Sequence, residues 1–167
     1  MKSLPPFSRV LSYGIYDKVL AKAIHELKFM KTRRLYKPLG SLMLGMEIPG
    51  MDAIVPVPMH LSRLRERGFN QSLLLARVIA EKTGVPLILD GLLKEKDTPP
   101  QIGLTAKERT ANLSGAFSAL RSFSGINVLL VDDVMTTGAT IRACAKQLRL
   151  SGARDIVVCT LARAAST

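Results

Sequence analysis

The sequence predicts an α/β fold around a sheet that is at least partly parallel, and three consecutive segments carry that expectation. Ile126 to Val131 is a nearly continuous apolar run, as a strand covered on both faces requires. A helical pattern follows from about Thr137 to Leu150, burying Ile141, Ala145 and Leu148, and Gly152 is placed to end it. Ile156 to Leu161 is the next apolar strand. Strand, helix, strand in that order is the right-handed βαβ unit of a parallel sheet.

The earlier elements follow the same rules. Asp17 can cap a helix over 17–29, where Val19, Leu20, Ala23, Ile24 and Leu27 recur at helical spacing. Residues 52–58 form a short apolar strand that runs into a loop, because Pro56 and Pro58 leave little ladder beyond Val55. A second helix spans 71–83 around Leu74, Leu75, Val78 and Ile79, with Gly84 as its stop. Leu87 to Leu89 reads as a brief buried strand. The stretch from Lys94 to Gly115 has weak periodicity, two prolines and mixed charge, and a connection that long inside a compact domain is more often functional than idle. There is no internal repeat and no low-complexity segment.

At 167 residues, 47% hydrophobic and 22% charged, the composition is that of one globular domain able to bury a core. Two cysteines, Cys144 and Cys159, are too few for a disulfide scaffold or a four-cysteine zinc site, and reduced thiols suit a cytoplasmic protein. Pro5, Pro6, Arg9 and Asp17 break the first twenty residues, so neither a signal peptide nor a membrane span is expected. The net charge of +11 calls for an anionic partner, either a polymer or a small phosphate. Its excess is +6 over residues 1–50, where Lys28, Lys31, Arg33, Arg34 and Lys37 lie close together. That run reads equally as a solvated face or as an anion-binding one.

The most informative stretch is Val128 to Thr140, Val-Leu-Leu-Val-Asp-Asp-Val-Met-Thr-Thr-Gly-Ala-Thr. Asp132 and Asp133 stand at the carboxyl end of a strand, where open α/β sheets bind ligands. Thr136, Thr137, Gly138, Ala139 and Thr140 then lead into a helix, whose free N–H groups and dipole favour an anion. Gly138 permits close backbone approach and the threonines add hydroxyl donors. Carboxylates beside a phosphate cradle make sense for a sugar phosphate: Asp132 and Asp133 can accept from a ribose diol while Mg²⁺ bridges to a pyrophosphate. Competing motifs fail. Gly40 and Gly45 have Walker spacing, but Met46 stands where lysine is needed, and His25 and His60 are isolated.

Two further segments carry chemistry. After the strand at 52–58 come Val57, Pro58, Met59 and His60, then Arg63 and Arg67, which share a face if helical and can clamp phosphate oxygens. Arg65 reads as a solvated charge. Within 101–117, Gln101, Lys107, Arg109 and Asn112 are the polar positions of a loop ahead of Ala116-Phe117. Lys107 and Arg109 are its candidate anion-facing cations; an ordinary exposed turn is the alternative, chiefly for Lys107.

The 128–140 element resembles the phosphoribosyl-pyrophosphate (PRPP) signature of type I phosphoribosyltransferases. Together with Arg65-Glu-Arg-Gly-Phe-Asn-Gln71, the 101–117 segment and Leu27-Lys28-Phe29, it resembles the ComF family, competence-associated proteins related to amidophosphoribosyltransferases. The resemblance covers nearly the whole chain, but the four-cysteine zinc module with which many members begin has no counterpart here. It implies a type I phosphoribosyltransferase fold, with a mostly parallel sheet, flanking helices and a small hood. Residues 1–50 would supply the N-terminal helix and part of the hood, and 51–167 the core, as one compact domain overall. It implies that Asp132 and Asp133 bind ribose hydroxyls and 136–140 the 5′-phosphate of PRPP. Val57, Pro58, Met59 and His60 with Arg63 or Arg67 would take the pyrophosphate, and Gln101, Lys107 and Arg109 would act from the catalytic loop. Mg²⁺ is expected through PRPP rather than on a direct protein site. The implied activity is phosphoribosyl transfer with release of pyrophosphate, in a protein of DNA uptake, with the acceptor open. The alternative is a non-catalytic protein that binds single-stranded DNA, senses PRPP or meets other competence proteins. With only three tyrosines and five phenylalanines, a base-stacking platform is not evident.

Overall fold

The computed structural model describes residues 4–29, 33–98 and 112–165. Its main sheet has four strands in the order β1–β6–β5–β2: β1 Arg9–Ile15, β2 Ala53–Pro56, β5 Asn127–Met135 and β6 Asp155–Arg163. All three pairings are parallel, with Val55 opposite Leu130, Leu130 opposite Val158 and Leu11 opposite Cys159. The expected parallel βαβ unit is therefore present, with helix α5, Ala139–Leu150, between its strands. A separate two-stranded antiparallel ribbon, β3 Leu92–Lys94 with β4 Phe117–Ala119, sends Leu92 and Phe117 into the core.

Strand alternation divides the core between the two faces of the sheet. Val128, Leu130, Ile156 and Val158 pack with Ile141, Cys144, Ala145 and Leu148 of α5. Leu129, Val131, Val157 and Cys159 face the other side, against helices α1 Lys18–Phe29, α2 Tyr36–Met43 and α4 Gln71–Thr83. There Ile24 and Leu27 of α1, Met43 of α2, and Leu75 and Ile79 of α4 are all fully buried. Gly40 sits where α2 crosses α4: a Cβ there would lie 2.7 Å from Val78 Cβ. Its place in the chain thus answers to helix packing, in keeping with the failed Walker spacing.

Several elements differ from expectation, among them α2 and β3, which the sequence pattern did not announce. Leu87 to Leu89 contributes one bridge, Leu87 to Ile54, because Pro86 precedes it and Leu89 turns outward, 60% exposed. Strand β1 was not anticipated. Its residues are mostly half-exposed, as on a sheet edge, and its partner lies almost the full chain length away.

Candidate functional site

A cavity of about 260 Å³ opens at the carboxyl ends of the adjacent strands β2 and β5. Its first wall is the turn after β2. His60 caps a short helix, α3 Leu61–Arg67, by accepting from Ser62 N–H, and Gly68 ends it in the left-handed region at φ 83°. Arg63 and Arg67, four residues apart on this helix, both line the cavity. Arg65 is exposed and not among the lining residues.

Asn70 explains why the segment that follows is shaped rather than loose. Its Oδ1 accepts from the N–H groups of Ser72 and Leu73, capping α4, while its Nδ2 donates to Val57 O at 3.0 Å. One side chain thus ties the start of α4 to the turn over 57–60. Arg67 Nη1 donates to Gln71 Oε1 at 2.8 Å, and Arg63 Nε lies 3.9 Å from Asp97 Oδ1. Ser62 Oγ donates to Asp97; that hydrogen bond first, then the nearby cations, holds the Asp97 carboxyl below its ordinary pKa. Burial, with smaller repulsion from Arg63, pushes the Arg67 pKa down against the pull of Asp133.

The opposite wall is the acidic pair. Asp132 and Asp133 expose only 8% and 4% of their surface. Asp132 Oδ1 accepts from Ser72 Oγ at 2.8 Å and from the Asp133 N–H at 2.9 Å, while Asp133 Oδ1 accepts from the Val134 N–H. Burial, then the charge of Asp133, pushes the Asp132 pKa up to about 7. The remaining oxygen of Asp133, Oδ2, lies 2.6 Å from Lys28 Nζ, which reaches in from the last turn of α1. Burial works against the Lys28 ammonium, yet its pKa is raised overall because the Asp133 carboxylate outweighs it.

Beyond the pair, Thr136 and Thr137 are exposed, Gly138 takes φ 74° ahead of α5, and the Ala139 N–H points at Thr137 Oγ1. The helix start shares a pocket of about 20 Å³ with Asp132, Thr136, Gly138 and Thr140. Burial, chiefly, drives the Cys144 thiol well above its ordinary pKa and that of Cys159 to about 12, so neither is a nucleophile.

The structure brings Val57, Pro58, Met59, Arg63, Arg67, Asp132, Asp133 and Thr140 around one cavity. His60 stands at its edge as a helix cap, paired toward Ser62 and Asp97. Gln101, Lys107 and Arg109 lie outside the described residues. Four lining or contacting residues, Ser72, Lys94, Thr98 and Lys28, had no role assigned from the sequence. Ser72 looked like an ordinary first-turn residue, Lys94, on β3, like any strand-end charge, and Thr98 like a loop residue. Lys94 is buried enough that desolvation, with repulsion from Arg63, lowers its pKa. Lys28 lay within a basic run that gave no sign of which member turns inward. Among the described residues no three acidic, histidine or cysteine side chains gather as a metal cage.

The phosphoribosyl transferase domain matches residues 70–167, and so spans α4, the β3–β4 ribbon, the acidic pair and β6. A solved structure of glutamine PRPP amidotransferase from B. subtilis, complexed with ADP and GMP, aligns with a TM-score of 0.52 at 28% identity. It covers 74% of this chain, which in turn spans 25% of that one. Competence protein F of Haemophilus influenzae is 34% identical over 175 residues, 98% of this chain and 76% of its own. DNA utilization protein YhgH of Salmonella typhimurium is 33% identical over 169 residues, 95% of this chain and 74% of its own. The chain belongs to the phosphoribosyl transferase domain family and, within it, to the ComF group. No helix among the described residues is long and apolar enough to cross a membrane.

Proposed function

We propose that the cavity binds PRPP and that the protein transfers its phosphoribosyl group to an acceptor, releasing pyrophosphate. The observation that carries this reading is convergence. A buried carboxylate pair, a helix start and two arginines on one helix face meet at the carboxyl ends of neighbouring parallel strands. Asp132 and Asp133 would accept from the ribose hydroxyls and residues 136–140 would hold the 5′-phosphate. The 57–60 turn with Arg63 and Arg67 would hold the pyrophosphate. An acceptor lone pair forms a bond to C1 as the C1–O bond to pyrophosphate breaks, and the acceptor's proton leaves to solvent or to the departing phosphate. The protein's own share is positioning and charge stabilisation. Gln101, Lys107 and Arg109 belong to the proposal as the groups that close over the leaving group.

Mg²⁺ would arrive with PRPP rather than on a direct protein site, and the buried acidic pair gives a cation beside the pyrophosphate a favourable surrounding. There the ion would offset pyrophosphate charge. Residues 1–50 and 51–167 are proposed to act as one unit, since Lys28 reaches the acidic pair from the first segment.

Calorimetric titration with PRPP and Mg²⁺ tests the reading. Wild type should bind, and Asp132→Ala/Asp133→Ala should lose at least about 100-fold in affinity. No heat from wild type overturns it. Pyrophosphate release in a panel of amines and nucleobases separates transfer from PRPP sensing.

A second reading is single-strand DNA binding in DNA uptake. Its support is the names of the relatives, competence and DNA utilization proteins, and the net charge of +11. Such binding should fall steeply with salt, and no binding at low salt would remove it.

A further inference from the structure

Two carboxylates side by side are an awkward floor for a site that takes a polyanion. Asp132 and Asp133 are nearly inaccessible to water, which cannot screen them. Among the described contacts, Asp132 is held by neutral donors, Ser72 Oγ and the Asp133 N–H. Asp133 meets a full charge instead: Lys28 Nζ at 2.6 Å. The Lys28 side chain is only 23% exposed, so it has given up most of its hydration to stand there. Helix α1 fixes that placement, because Ile24 and Leu27, one turn before and one residue before, are locked in the core. A lysine at this position reaches the acidic pair by the geometry of the helix, and not by the chance swing of a surface side chain.

We infer that Lys28 is a positioning residue of the phosphosugar site, a resident counter-cation that holds the Asp133 carboxylate in place and offsets the charge of the acidic floor. The inference rests on the PRPP reading for what the site holds. With both acids ionised, Lys28 is the cation in contact with the pair and Arg67 acts from farther off; without Lys28 the acidic floor loses its contact cation and attracts an incoming pyrophosphate less. Lys28 also lies outside residues 70–167, the span matched by the phosphoribosyl transferase domain.

The groups facing the pair come from five elements: Lys28 on α1, Arg67 on α3, Ser72 on α4, the two acids on β5 and the Cys144 thiol on α5. Carboxylate ¹³C NMR titration of the full chain reads the ion pair directly, and calorimetry with PRPP and Mg²⁺ reads its use. Lys28→Met should raise the titration midpoint of the Asp132–Asp133 pair by about one pH unit and weaken PRPP about tenfold. Lys28→Arg, which keeps the charge, should return affinity to within about threefold of wild type. In an Asp133→Asn background, Lys28→Met should cost little further affinity, because the partner is already gone. If Lys28→Met alone does not fold, the comparison of Asp133→Asn with Asp133→Asn/Lys28→Met and of wild type with Lys28→Gln carries the test. An unchanged midpoint, or an equal loss of affinity in both backgrounds, overturns the proposal. If wild type gives no heat with PRPP, the ligand reading falls by itself, and the midpoint alone then decides whether Lys28 is the counter-cation.

Discussion

The two ends of the cavity are built to different standards. At the acidic end nearly every polar atom described is held by a neighbour at 2.6–2.9 Å: Ser72 and a backbone N–H on Asp132, Lys28 and another N–H on Asp133. At the basic end Arg63 is 37% exposed and its nearest anion, Asp97, stands 3.9 Å away on a half-exposed side chain. The buried end is preorganised and intolerant; the open end is adjustable and screened by water. A sugar diol has one geometry to match, whereas a pyrophosphate can be met by cations arriving from several directions.

That contrast breaks most visibly at Asp133. Asp133→Ala strands a mostly buried Lys28 and should cost about 3 kcal/mol of stability in urea unfolding. A cost below about 1 kcal/mol would show that the acidic end is as slack as the basic one.

The same contrast makes a pH signature. The Asp132 pKa stands near 7 in the folded chain, above its ordinary carboxylate value. Between about pH 4 and pH 7 the native state therefore binds the extra proton, and stability should fall as pH rises through that window, flattening above it. Thermal melting from pH 4.5 to 8 measures the slope. Asp132→Asn should remove it, whereas Arg63→Ala should leave it unchanged.

Asn70 bridges the two ends, and its loss should be intermediate. Asn70→Ala removes the cap of α4 and the bond to Val57 O, with an expected cost of about 1–2 kcal/mol. Because Ser72 sits in that same first turn, the variant should also weaken PRPP; wild-type affinity would show that the two walls are independent.

The smallest effect belongs to Arg63→Ala. Stability should change by less than about 0.5 kcal/mol, and PRPP affinity should fall only several-fold, with the deficit shrinking as salt increases. A salt-independent loss would place Arg63 in a drier, more rigid site than its exposure implies.

Legibility in the sequence follows the same divide between local and distant causes. The βαβ unit, the acidic pair and the threonine-rich turn could be read because strand, loop and helix are consecutive, and each residue's role depends on near neighbours. The Arg63 to Gln71 segment was readable for that reason too, down to the shared face of Arg63 and Arg67. Lys28 was not. Its helix was evident from Ile24 and Leu27, but whether an adjacent lysine meets solvent or a carboxylate is decided by a strand a hundred residues away. Strand β1 escaped because an edge strand with Gly14 and exposed Tyr13 lacks the apolar run that marks a central one. Leu87 to Leu89 erred in the other direction, its three apolar residues looking like a strand although only Leu87 pairs.

The pairing of β1 with β6 has a consequence for the order of events during synthesis. Arg9 to Ile15 emerges from the ribosome long before its hydrogen-bonding partner, Asp155 to Arg163. The earlier strand must wait, unpaired, until that segment is made, and the sheet closes in a long-range step. Lys28 is tethered to that strand by α1 and so has no settled position until β6 is in place. A truncated or stalled chain would carry every residue of the acidic turn and still lack its cation. In that sense the last strand acts as a completion check on the site.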